Sequence, residues 1–187
     1  YTEVTSESRI QAIVVDGVSA MTAAQGLDVE IVLDRTPFYA EGGGQLADGG
    51  TITLHDGTVI EIDDVQNPVP GLSIHRGRVV KGCVEVGQSA LAAIDNERRN
   101  AISRAHTATH MVHKAFREVL GETATQAGSE NSPGRFRFDF PSTGSLSDGV
   151  LNDVEARVNA LLIDDLAVTA EVMSQADAKK ILSLIHI

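Results

Sequence analysis

The hydropathy pattern of this chain changes period once, near Asp95, and that change divides it into two kinds of structure. Before it, β-branched runs of strand length succeed one another at residues 9–15, 28–33, 51–54 and 58–62. His55-Asp56-Gly57 separates the last two, and Asp-Gly is a strong hairpin signal. Shorter runs at 72–75, 78–81 and 89–94 are set apart by Pro68, Pro70, Gly77 and Gly82. Many short strands, frequent glycine turns and no helical stripe predict a small β-barrel over residues 1–92.

After Asp95 the apolar positions Ile102, Ala105, Thr109, Val112, Phe116 and Val119 follow spacings of three and four. That stripe predicts a helix of about 25 residues, ended by a left-handed cap at Gly121. Strand-like segments follow at 123–127 and 135–140. A second helix, capped near Ser147, carries Leu151, Val154, Val158, Leu161 and Leu162. A last strand is expected at 168–173, and a further helix begins at 175–180. The fold class read from this order is α+β, with a barrel domain at 1–92 and a second domain at 93–182. Residues 183–187 have no cap or partner pattern and read as a non-native tail. The chain opens on Tyr1 inside a strand-forming region, so it reads as part of something longer.

Composition narrows the function. Aromatics make up 4% with no Trp, so the core rests on Val, Ile, Leu and Ala. No apolar run approaches the roughly 20 residues of a membrane span. A single Cys83 excludes an intrachain disulfide framework and fits a reducing, cytoplasmic setting. The net charge of −11 argues against coating nucleic acid by bulk attraction. From Asp95 to Phe140, however, 7 basic residues face 6 acidic ones. There Arg98, Arg99, Arg104, Arg135 and Arg137 are candidates for phosphate contact, or else ordinary solvated arginines.

Two segments carry candidate chemistry. His106 and His110 are four apart on the expected helix, so their imidazoles share one face, with His113 and Arg117 continuing the line opposite the apolar stripe. That spacing lets two ring nitrogens reach one cation at about 2.0–2.1 Å. Position 107 is Thr, so the Glu of a zinc-protease helix is missing, and two ligands fall short of the usual three. The second segment, Thr36-Pro-Phe-Tyr-Ala-Glu-Gly-Gly-Gly-Gln45, is neither a Walker loop nor a dinucleotide fingerprint. It reads either as a flexible loop or as a backbone surface that lets RNA or a ribose approach closely.

Taken together, Asp34-Arg-Thr-Pro-Phe-Tyr-Ala-Glu-Gly-Gly-Gly-Gln45, Arg98-Arg99 before His106-Thr-Ala-Thr-His-Met-Val-His113, and Thr125-Gln-Ala-Gly-Ser129 before Arg135-Phe-Arg-Phe-Asp-Phe140 resemble the editing region of alanyl-tRNA synthetases. Free-standing alanyl-tRNA deacylases share that region. The resemblance covers residues 2–181 and implies a β-barrel followed by an α+β editing core of the alanyl/threonyl type. It implies one Zn2+ bound through His106 and His110, with a Cys and a His expected downstream, beyond Ile181. It also implies hydrolysis of serine or glycine misattached to tRNA(Ala), with ATP and Mg2+ used only by a ligase domain outside this chain. Editing has a physical basis, because a small apolar pocket rejects a near-isostere poorly. On this resemblance Thr109 senses the misattached side chain and Gln126 positions substrate or water. An amide cannot act as a general base. Gly42, Gly43, Gly44 and Gln45, with Arg98 and Arg99, contact the tRNA acceptor end. With two of four ligands, this chain alone is expected to edit poorly.

Overall fold

The structure is a computed structural model describing residues 3–121, 124–142, 144–167, 171–174 and Asp177. It divides into two compact units, residues 1–102 and 103–187, with the division inside the long helix.

The first unit contains β1 (Thr5–Val15), β2 (Val18–Ala20), β3 (Thr22–Ala24), β4 (Asp28–Leu33), β5 (Gly50–Leu54), β6 (Val59–Val69), β7 (Leu72–Lys81), β8 (Cys83–Glu85) and β9 (Ser89–Ile94). The main sheet runs β2-β1-β4-β7-β6-β5-β9, and β9 pairs back with β1. Every pairing is antiparallel, so six strands close into a barrel with no open edge between them. Alternation does the sorting: β1 buries Ser6, Ser8 and Ile10 at every second position. The interior is filled by Ile10, Ile13, Ile31, Ile52, Ile60, Val65, Val79 and Val84, with Phe38 beside them.

The sequence breaks β7 at Gly77, whereas the structure runs one strand through it. A Cβ at Gly77 would lie 1.8 Å from the Glu61 carbonyl oxygen, so the glycine admits a neighbouring backbone rather than ending a strand. The short strands β2, β3 and β8 have no sequence counterpart, being too brief to show a period.

The second unit follows from α1 (Asn96–Leu120) and holds β10 (Gly128–Ser132), β11 (Arg135–Asp139) and α2 (Asp148–Ile163). Asp95 caps α1, its carboxylate accepting from the Arg98 N–H at 3.0 Å. Gly121 follows the last turn with φ +88° and donates its N–H to Arg117 O at 3.0 Å. Ser147 caps α2 by accepting from the Val150 N–H at 3.4 Å. These boundaries agree with the pattern in the sequence.

Three details differ. Residues 124–127 form no strand, and β10 begins instead at Gly128 and pairs Ser129 with Phe138 and Asn131 with Phe136. Leu151 and Leu162 are exposed, so α2 buries Val154 and Leu161 alone of the five apolar positions expected on its stripe. Most tellingly, the buried stripe of α1 takes in His113 where Val112 was expected, Val112 being only half-buried. The expected strand at 168–173 lies partly outside the described residues, and its described part, 171–173, is not strand. The expected helix at 175–180 lies outside them except for Asp177, as does all of the tail at 183–187.

Candidate functional site

The glycine segment lies in the first unit and is tied down by side chains. His75 is buried inside the barrel, its Nδ1–H donating to the Ile31 carbonyl at 2.9 Å. That fixes Nε2 as an acceptor, and the Thr36 hydroxyl donates to it at 2.7 Å while receiving the Phe38 N–H at 3.1 Å. Burial holds the His75 ring below its ordinary pKa, so it stays neutral and this polarity is kept. The Tyr39 N–H donates to Asp48 at 2.7 Å, and the Tyr39 hydroxyl donates to Gly42 O at 2.8 Å. Gly42 and Gln45 exchange N–H···O bonds of 3.1 and 2.9 Å around Gly43 and Gly44, at φ +57° and +76°. Two successive positive φ values make this a tight turn of the hairpin kind rather than a flexible loop.

Arg98 and Arg99 serve the same segment. Arg98 donates from Nε and Nη2 to Ala47 O at 3.3 and 3.2 Å. Arg99 is buried, with Nε 2.8 and 2.9 Å from the two Asp48 oxygens and Nη2 2.9 Å from Pro37 O. The choice between phosphate contact and a solvated surface omits a third role, which is the one Arg99 has here: its guanidinium is turned inward.

In the second unit, His106 and His110 are half-buried, their rings nearly parallel at 15° with centroids 5.0 Å apart. Two imidazoles on one tetrahedral zinc, each nitrogen about 2.0–2.1 Å from the ion, put their ring centres roughly 5 Å apart. The separation of the ring centres is that of two ligands on one ion, while the stacked, near-parallel planes would have to turn for their nitrogens to converge on it. Burial holds His106 below its ordinary pKa, favouring the neutral ligand form. Among the described residues no group of three or more His, Cys, Asp or Glu could hold a metal. A cavity of about 190 Å³ adjoins His110, lined by Thr107, Met111, Lys114, Leu161, Leu166 and Ala167.

Thr109, one residue before His110, has no exposed surface and faces β10. Its hydroxyl lies 2.6 Å from Asn131 Oδ1 and 3.0 Å from Ala105 O. Gln126 donates from Nε2 to Ser129 Oγ at 2.8 Å, and its Oε1 is buried without a partner. His113 packs on Phe138 at 5.3 Å between ring centroids. Asn131 is not singled out in the sequence, and His113 is read there as part of the line opposite the apolar stripe, whereas the structure buries it. No local signal marks Asn131, whereas burial of His113 could have been read from its place three residues before Phe116.

Residues 1–98 match the family model described as tRNA synthetases class II (A), and the chain belongs to that family. It is 62% identical over 180 residues to the alanine–tRNA ligase of Nocardioides sp., covering 96% of this chain and 20% of that protein. It is 58% identical to the alanine–tRNA ligase of Acidothermus cellulolyticus, covering 95% of this chain and 20% of the relative. The alanine–tRNA ligase of Streptomyces avermitilis is 56% identical, with 96% and 20% covered. The chain thus spans about a fifth of the length of these relatives.

Proposed function

We propose that this chain is the barrel and part of the editing core of an alanine–tRNA ligase, and that it hydrolyses serine or glycine wrongly esterified to tRNA(Ala). The observation that carries this reading is the His106–His110 pair, whose 5.0 Å ring spacing suits a shared zinc ion, in a chain 62% identical to such a ligase. His106 and His110 would hold the ion, and the remaining donors come from outside the described residues. When bound, zinc acidifies water or polarises an ester carbonyl.

The chain's own groups supply binding and orientation. Gln126, an amide, holds an oxygen rather than accepting a proton. Thr109 acts from within the α1–β10 packing, its hydroxyl engaged by Asn131. The turn at Gly42–Gln45 offers backbone to the tRNA acceptor end, and Arg98 lies beside it on Ala47. Arg99 contributes by holding Asp48 and Pro37, the frame of that turn. ATP and Mg2+ belong to the charging reaction of the whole ligase, in the cytoplasm.

The test is metal analysis after dialysis, with a seryl-tRNA deacylation assay, on the full-length protein and its His110→Ala variant. The expected result is one zinc per chain and ester hydrolysis, both lost in the variant. Hydrolysis undiminished in His110→Ala would overturn the reading. The isolated chain is expected to deacylate poorly beside the full-length protein.

A further inference from the structure

The glycine segment is a short hairpin whose two legs are fastened to different parts of the first unit. The Asp48 N–H donates to Tyr39 O at 3.1 Å, and Gly42 and Gln45 close the tip. The returning leg ends where the Asp95 N–H donates to Gly49 O at 2.7 Å, and Arg99 of α1 holds Asp48. The outgoing leg meets the barrel at two points. Its Glu41 N–H donates to Val65 O of β6 at 2.9 Å, and Thr36 bonds His75 of β7.

The second point is unlike the rest of the interior. His75 has no exposed surface and stands in register between Ile31 of β4 and Val65 of β6, both fully buried. An apolar side chain would fill that space with no polar atom to satisfy, whereas a buried imidazole costs free energy unless its nitrogens are matched. Both are matched, one by Ile31 O and the other by the Thr36 hydroxyl. What the imidazole adds over apolar packing is direction. Apolar burial is non-directional and lets a segment slide, while a 2.7 Å bond fixes where the Thr36 oxygen stands.

One ring thus carries the outgoing leg in two ways, through the Thr36 bond and through Phe38, whose ring centroid lies 5.3 Å away at 78°. The constraint then runs outward bond by bond. Thr36 Oγ1 receives the Phe38 N–H, a local turn that aims the Tyr39 N–H at Asp48. The Tyr39 hydroxyl holds Gly42 O, and Gly42 is paired with Gln45 across the tip.

We propose that His75, acting through Thr36, is a positioning residue that sets where the Gly42–Gln45 backbone stands to receive the tRNA acceptor end. This rests on the reading of that turn as the surface tRNA meets. The ring acts on the hairpin and not on the RNA itself.

The experiment compares the full-length protein with its Thr36→Val and Thr36→Ser variants by amide hydrogen exchange and by seryl-tRNA deacylation kinetics. Valine keeps the branched shape without the hydroxyl, and serine keeps the hydroxyl. In Thr36→Val, exchange at Tyr39, Glu41, Gly42 and Gln45 is expected to quicken roughly tenfold, the weight of one hydrogen bond, with β9 unchanged. KM for seryl-tRNA is expected to rise by a similar factor with kcat little changed. Thr36→Ser should recover both, and His75→Phe, which fills the space without an acceptor, should match Thr36→Val. A merely structural bond would lower stability and leave the KM of the folded protein alone. Exchange at the turn equal to wild type, an unchanged KM in Thr36→Val, or no recovery by serine would overturn the proposal. If the unaltered protein does not hydrolyse seryl-tRNA, the editing reading fails, while exchange rates and tRNA affinity in the same variants still decide the positioning role.

Discussion

Arg99 and Asp48 form a buried ion pair in which the guanidinium Nε lies 2.8 and 2.9 Å from the two carboxylate oxygens. Asp48 also accepts the Tyr39 N–H, and Arg99 also reaches Pro37 O. The first turn of α1 is thereby fastened to both ends of the glycine segment. Removing one partner leaves an uncompensated charge in the interior, which costs about 3–5 kcal/mol. Arg99→Ala and Asp48→Asn should each lower the unfolding free energy of the barrel unit on that scale. Arg99→Lys should recover little, since an ammonium cannot fork across both oxygens. Denaturant titration decides this, and a loss below about 1 kcal/mol would show the pair to be dispensable.

The glycine turn separates structural from functional demands. Gly43 and Gly44 have positive φ, so Gly44→Ala should destabilise by about 1–2 kcal/mol. A Cβ at Gly42 would meet its nearest neighbour, the Tyr39 hydroxyl, at 3.8 Å, an ordinary contact. Gly42→Ala should therefore leave thermal stability unchanged. If tRNA approaches this backbone, the same variant should weaken tRNA binding severalfold. Unchanged binding by a filter or fluorescence assay removes Gly42 from the contact surface.

His75 gives the barrel a pH dependence of known sign. Burial lowers its folded-state pKa below the ordinary 6.5, so the unfolded chain takes up the proton first as pH falls. Its stabilising contribution is complete above the unfolded value and declines as pH drops below 6.5. Between roughly pH 7.5 and 5.5 most carboxylates stay ionised. Over that range barrel stability should fall in the native chain and fall less in His75→Gln. Parallel pH profiles for the two would falsify the assignment.

On the second unit, Glu118 accepts from Arg157 of α2 and pairs with Lys114 at 2.9 Å. The Arg157 bond, then Lys114, bring its pKa down to about 2. Stability from this group is present above the unfolded 4.5 and lost as pH falls towards about 2. Glu118 is 38% exposed, so solvent screens most of that gain. Glu118→Gln should lower the melting temperature slightly at low salt, and the difference should vanish near 1 M salt, where the Debye length is about 3 Å. A difference that survives high salt points to packing instead.

Sequence alone determined the parts of this protein that depend on neighbours a few residues away. Runs of β-branched residues between glycine and proline turns marked the barrel strands, the three-and-four spacing marked α1, and Asp95, Gly121 and Ser147 marked helix ends, because propensities, caps and periods are local. It also aligned His106 with His110, since a helix of known pitch places residues four apart on one face. Tertiary structure decided which polar groups are buried and what they face. Arg99 turned inward because Asp48 lies 51 positions away in the chain, and Asn131 meets Thr109 across 22. His113 joined the core because β11 presents Phe138 to it, and Gly77 stayed inside a strand because the Glu61 backbone passes against it. Each of these pairings joins distant parts of the chain, and no local period encodes a partner that only folding brings within hydrogen-bond distance.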